Sequence, residues 1–198
     1  MNGIPITYQI DPAGRILSVG PAWDDFARNN QGAFLTRQHV VGHSLWDYIS
    51  DSTTRQLYRS LADRVHTDVP QVQFTFRCDS PTRRRLLQMK MTPGEQDSTH
   101  FTVLPISFVD RDLVPFVATE VVRSGEHLRM CSWCKRVPLT EQSWVEVEEA
   151  IERLAMFRMA DTPAITHGIC PRCEATVFGM TRDPRQAAGG EVRLGAFP

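Results

Sequence analysis

The sequence predicts an α+β chain with a small four-cysteine module in its second half, and three observations carry that expectation. Leu57, Leu61 and Val65 recur every four residues behind Asp51-Ser-Thr-Thr54, a cluster of N-cap residues, and so mark an amphipathic helix. After Pro70 the period falls to two: Val72, Phe74, Phe76 and Cys78 point one way and Gln71, Gln73, Thr75 and Arg77 the other, as in a half-buried antiparallel strand. Four of the five cysteines fall in two Cys-x-x-Cys pairs, Cys131-Ser-Trp-Cys134 and Cys170-Pro-Arg-Cys173.

The elements follow in order. Ile4 to Ile10 reads as a strand, Asp11-Pro-Ala-Gly14 as a turn and Arg15 to Val19 as the return strand, ended by Gly20-Pro21. Ala22 to Asn29 places Trp23, Phe26 and Ala27 on one face of a short helix, which Asn29-Asn-Gln-Gly32 breaks. The long helix behind Asp51 ends near His66-Thr-Asp68. Asp79-Ser-Pro81 turns the next strand into Arg84 to Met91, which sets Leu87, Met89 and Met91 on one face, and Thr99 to Phe108 closes a third strand. Arg83-Arg-Arg85, the one dense positive cluster, reads as a solvated strand edge rather than a phosphate contact.

A two-residue spacer lets both sulfurs of one turn point at the same ion, so two such pairs supply the four thiolates that zinc prefers. Four thiolates close the coordination shell, which argues for a structural metal and against a catalytic one. A dithiol redox centre needs one such pair near a βαβ pattern, and none precedes Cys131. Disulfides need an oxidising compartment, and the amino terminus has no signal-peptide pattern. A thiol switch in which oxidation expels the metal joins these two alternatives to the zinc reading.

Composition bounds the rest. Hydrophobic residues at 41% and charged residues at 23% fit a globular protein of one domain, or of one domain plus a small module. No apolar run reaches membrane-spanning length, and the expected location is cytoplasmic. A net charge of −1, with neither half of the chain basic, speaks against nucleic-acid binding.

Two strands, short helices, one long helix and three antiparallel strands resemble the PAS sensor-domain family over about residues 4–108. The resemblance rests on Tyr8-x-Ile-Asp11-x-x-Gly14-Arg-Ile16, on Trp23-x-x-Phe26 and on Val41-Gly-x-Ser44-Leu-Trp46-Asp-Tyr48-Ile49, together with the closing strands. It implies a five-stranded antiparallel sheet with helices on one face, often enclosing a ligand or making a dimer. Trp23, Phe26, Trp46, Phe74, Phe76 and Cys78 are the candidates to line such a pocket, although aromatic residues on buried faces more often simply fill the core. The flavin-binding Asn-Cys-Arg-Phe-Leu motif of light-sensing PAS domains is missing. His39, His43 and His66 lie near the helices, but a lone histidine is weak support for haem, which remains the lesser cofactor reading beside zinc.

Residues 1–108 are thus expected to form a PAS-like sensor domain, 109–126 a linker, 127–181 the zinc module and 182–198 a flexible tail. Val114-Pro-Phe-Val117 is a candidate further strand. Within the module, Ser143-Trp-Val-Glu146 has the pattern of a capping box, and a helix follows from about Ser143 to Arg158 with Trp144, Val147, Ile151 and Leu154 on one face. So small a module draws most of its stability from metal ligation and from docking on the sensor domain, so loss of one thiolate should unfold 127–181 locally. Met130-Cys-Ser-Trp-Cys-Lys-Arg136, Trp144 and His167-Gly-Ile-Cys-Pro-Arg-Cys173 resemble a cysteine-rich tail that follows sensor domains in bacterial signalling proteins, with Thr166 where that tail has Ser. His167 is a candidate to hydrogen-bond behind the ligands, or to replace one of them. Lys135, Arg136 and Arg172 stand ready to offset the charge of about −2 on a zinc tetrathiolate.

The expected function is a bacterial signalling or regulatory protein. A PAS-like domain would sense a ligand or partner, and a structural zinc module would fix an interaction surface. No Gly-rich phosphate loop and no nucleophile–base pattern points to an enzyme, so output passes through a protein partner or a homodimer. A zinc-dependent DNA-binding regulator is the alternative, and the lack of a basic surface counts against it.

Overall fold

A computed structural model describes residues 4–30, 32–114, 123–154 and 162–181. The first hairpin pairs β1 (Ile6–Ile10) with β2 (Ile16–Val19) across the Asp11–Gly14 turn. Asp11 closes that turn twice: its carbonyl accepts from the Gly14 N–H at 2.9 Å and its carboxylate from the Arg15 N–H at 2.8 Å. Gly14 has φ +85°, and a Cβ there would lie 1.8 Å from Trp46 Nε1, so both the backbone and the packing demand glycine.

α1 (Trp23–Asn29) buries Ala27, and its Trp23 indole donates to the Leu35 carbonyl at 2.6 Å. α2 (Arg37–Val40) is a single turn that buries Val40. α3 (Ser52–Thr67) starts where the Asp51 carboxylate accepts the Thr54 N–H at 2.7 Å. Its inward face carries Tyr58, Leu61, Ala62 and Val65, all buried, with Leu57 half-buried.

β3 (Val72–Arg77), β4 (Arg83–Pro93) and β5 (Thr99–Asp110) complete one antiparallel sheet of order β2-β1-β5-β4-β3. Its register builds two buried rows across the strands. Phe74, Met89, Val103 and Ile6 form one; Val72, Met91, Phe101 and Tyr8 form the other. Both rows share one core with α3 and Trp46, which gives the PAS-like sheet with its helix-covered face. A bulge in β5 at Ile106 shifts the register opposite Leu86 and Leu87 of β4.

The second half is built differently. β6 (Arg123–Cys131) pairs in parallel with β9 (Thr162–Gly168), setting Met130 opposite His167 and Cys131 opposite Gly168. Between them β7 (Val137–Pro138) pairs with β8 (Trp144–Val145), and α4 (Val147–Arg153) follows. α5 (Pro171–Thr181) closes the described chain. Val114, Met130, Val137, Val147, Ala150 and Ile151 make a small core of their own.

Two sequence expectations are corrected here. The helix does not start at Ser143 on a capping box: Trp144 and Val145 are paired with Val137 and Pro138, and α4 begins only at Val147. The Glu146 carboxylate that would complete the box is engaged instead by Arg77 and by Arg136, the latter at 3.1 Å. Nor are all three arginines a solvated edge: Arg83 is exposed, beside an exposed Asp110, but the other two are not. Arg85 is buried and donates to the Cys78 carbonyl, and Arg84 pairs with Glu148 at 2.7 Å. The remainder of the expected helix (155–158), most of the candidate strand at 114–117 and the tail 182–198 lie outside the described residues.

Candidate metal centre

Cys131 ends β6, and a tight turn carries the chain to Cys134 and Lys135. The Lys135 N–H returns to the Cys131 carbonyl at 2.9 Å, with Lys135 at φ +61°. The Ser132 N–H donates to Gly168 at 2.8 Å, tying this turn to the end of β9 just ahead of Cys170. Cys170 precedes Pro171, which opens α5 at a position where its missing N–H costs nothing. Parallel β6–β9 pairing thus delivers both Cys-x-x-Cys turns to one end of the same ribbon.

All four sulfurs lie within 4.8 Å of one another, none is disulfide-bonded, and all four residues are buried. A tetrahedral zinc with thiolate bonds of about 2.3 Å needs sulfur–sulfur edges of about 3.8 Å. Cys134 Sγ and Cys170 Sγ are 3.7 Å apart. Backbone N–H groups point at the sulfurs as they would at thiolates: Cys170 N to Cys131 Sγ and Cys173 N to Cys170 Sγ, both at 3.4 Å. The amino-terminal end of α5 adds its positive dipole to the same place. The donor set and its spacing fit zinc.

Electrostatics agree. Hydrogen bonds from the Cys134, Cys170 and Cys173 thiols hold Cys131 far below the usual thiol range, while Cys173, crowded by Cys131, Cys134 and Cys170, is pushed far above it. Four sulfurs this close cannot all ionise without a cation among them. Of the side chains expected to offset that charge, Lys135 donates to the Ser132 carbonyl at 2.9 Å and Arg136 is turned toward Glu146. Arg172 lies exposed on the first turn of α5. His167 is exposed on β9 and outside the sulfur cluster.

The pocket candidates fall into two aromatic groups. Tyr8 stacks on Phe101 at 4.5 Å and meets Trp23 edge-on at 5.6 Å, close to α1 and Phe26. Phe74 lies between Tyr58, edge-on at 5.7 Å, and Trp133, stacked at 4.4 Å and 3°, with Phe76 at 6.3 Å. Trp46 is buried, with the Arg59 guanidinium 5.0 Å above its ring, and Cys78 is half-buried. His39, His43 and His66 are exposed.

Two residues that the sequence did not mark organise the centre. Trp133, from the spacer of the first Cys-x-x-Cys, is 3% exposed and belongs to the same core as the sheet. Arg77, at the end of edge strand β3, donates its N–H to the Trp133 carbonyl at 2.7 Å and its guanidinium to the Cys134 carbonyl at 3.3 Å. Its side chain also pairs with Asp79 and Glu146. A charged residue at the odd parity of an alternating strand, with a carboxylate two residues on, was the only available signal for Arg77.

No family model matches the chain, and no curated protein matches it. Among solved structures it is similar to the photoactive yellow protein domain of the sensor histidine kinase Ppr from Rhodospirillum centenum (16% identity, 50% of this chain, 89% of that one, TM-score 0.37). It is also similar to the PAS domain of Bordetella pertussis BvgS (17%, 52% and 76%, TM-score 0.40). A third is the PAS domain of the Cronobacter turicensis quorum-sensing receptor RpfR in complex with BDSF (13%, 54% and 98%, TM-score 0.39). Each likeness covers about half of this chain. The fold assignment rests on the chain's own strand order and helix-covered sheet: a PAS-like α+β unit with a four-cysteine cluster.

Proposed function

We propose that this chain is a bacterial signalling or regulatory protein in which a PAS-like sensor unit carries a structural zinc ion bound by Cys131, Cys134, Cys170 and Cys173. The observation that carries the metal half is the set of four buried sulfurs within 4.8 Å of one another, with one edge at 3.7 Å. Four protein thiolates leave no position for water or substrate, so zinc here would shape a surface rather than activate a reactant. The sensor half is supported by the sheet order and the helix-covered face, and output would pass through a protein partner or a second copy in the cytoplasm.

Elemental analysis of gently purified full-length chain, paired with light scattering, tests this reading. About one zinc per chain is expected, falling to a small fraction in Cys173→Ser because a three-thiolate site binds far less tightly. Four freely titrating thiols without zinc, or iron in its place, would sink the metal assignment. A strict monomer that retains no partner would sink the proposed output.

A further inference from the structure

The inference rests on the zinc reading above and concerns what the metal does to the sensor core. We propose that the metal centre is a latch on the inner face of the sheet: Trp133 seals the space between α3 and β3 only while its flanking cysteines are held by metal, and Arg77 is the positioning residue of that latch.

Trp133 sits between two proposed ligands of one ion, so its backbone cannot leave this position without moving Cys131 or Cys134. Its ring covers Phe74, the β3 member of a buried row, and Phe74 in turn meets Tyr58 of α3. The indole is therefore an inner-face core residue supplied by the metal turn, not a surface contact between two modules. Its seat is also poised. Among the described residues Trp133 Nε1 is buried without a hydrogen-bond partner, a penalty that exposure to water would remove. Stacking and burial favour the closed state, the orphaned N–H opposes it, and the two metal-bound neighbours decide the balance.

Arg77 fixes where the latch lands. It holds two successive carbonyls of the turn, Trp133 and Cys134, from the edge strand that Phe74 occupies. Its guanidinium is kept in place by Asp79 from its own side and Glu146 from the module. Metal loss is thereby transmitted to β3 and α3, and the expectation of a purely local unfolding of 127–181 gives way to opening of the inner face.

The test uses the full-length chain, analysed for zinc before and after chelation, and hydrogen exchange in both states. Zinc removal is expected to strip protection from β3 and α3 as well as from the metal segments, while β1 and β2 keep theirs. In the loaded protein, Phe74→Leu should speed zinc transfer to a chromogenic chelator by about tenfold, the equivalent of one aromatic stack. Tyr8→Leu, which removes a stack three strands away, should stay within about twofold of the wild type. Exchange changes confined to 123–181, loss of protection across the whole sheet, or equal acceleration by both variants would each overturn the latch while leaving the zinc site standing. A chain that binds no zinc would overturn both.

Discussion

At Arg77 one guanidinium meets Asp79, Glu146 and the Cys134 carbonyl in a site 9% exposed. A buried ion pair adds little net stability over an apolar substitute, but breaking one leaves a charge with nowhere to go. Arg77→Met would strand Asp79, whose side chain is 5% exposed and whose other guanidinium, Arg111, stands at 3.5 Å. Because Arg111 remains, the expected loss is about 3 kcal/mol, the lower end for such breaks, read from the denaturant midpoint. Adding Asp79→Asn should restore part of it. A loss below about 1 kcal/mol would place this network among the surface pairs that contribute little. At this scale the four cysteines were legible because their chemistry and spacing are local. Trp133 was not, since a spacer residue between two cysteines carries no mark of the distant ring on which it will stack.

The elements show the same divide between local and distant causes. α3 could be read because the Asp51 cap and the Leu57, Leu61, Val65 face lie within its own residues, and Asp51→Ala should lower stability by about 1 kcal/mol in equilibrium unfolding. α4 was misread because Glu146 meets its partners, Arg77 and Arg136, outside the helix. The β6–β9 pairing left no sequence trace at all, because parallel register is set across a long excursion of chain. α4 also makes its docking pH-dependent. Burial alone would raise the Glu148 carboxyl, but hydrogen bonds from Arg84, from its own backbone and from Arg111 outweigh it and hold the pKa at about 2, against an ordinary 4.5. A depressed carboxylate contributes stability that is full above the unfolded pKa and is lost as pH falls through the folded one, so the window runs from 4.5 down to about 2. With the side chain 32% exposed, screening reduces the contribution to about 1–2 kcal/mol. Glu148→Gln should flatten that part of the acid titration relative to wild type; parallel curves would contradict the assignment.

On the scale of the molecule, the sheet rows, α3 and the Cys131–Cys134 turn share one apolar core, in which Cys131, Trp133, Cys134, Ile169 and Cys170 stand beside Phe74, Tyr58 and Leu61. The element order of the first half was readable as a PAS-like sheet, yet the strand pattern could not disclose that its inner face is completed by a residue more than fifty positions downstream. A chain cut after Leu113 tests whether that completion matters. Such a fragment keeps every strand of the five-stranded sheet but loses Trp133 and Ile169 from its core. One tryptophan buries about 150–250 Å², which at about 25 cal/mol per Å² amounts to at most about 4–6 kcal/mol. Domains of this size have about 5–15 kcal/mol in all, so the fragment should be marginal. It is expected to keep strand signal in far-ultraviolet dichroism, to bind a hydrophobic dye at the uncovered Phe74 face and to lose its sharp thermal transition. A sharp transition within about 1 kcal/mol of the full chain and no dye binding would mean that the cysteine half is an appendage and that the five-stranded sheet closes on its own.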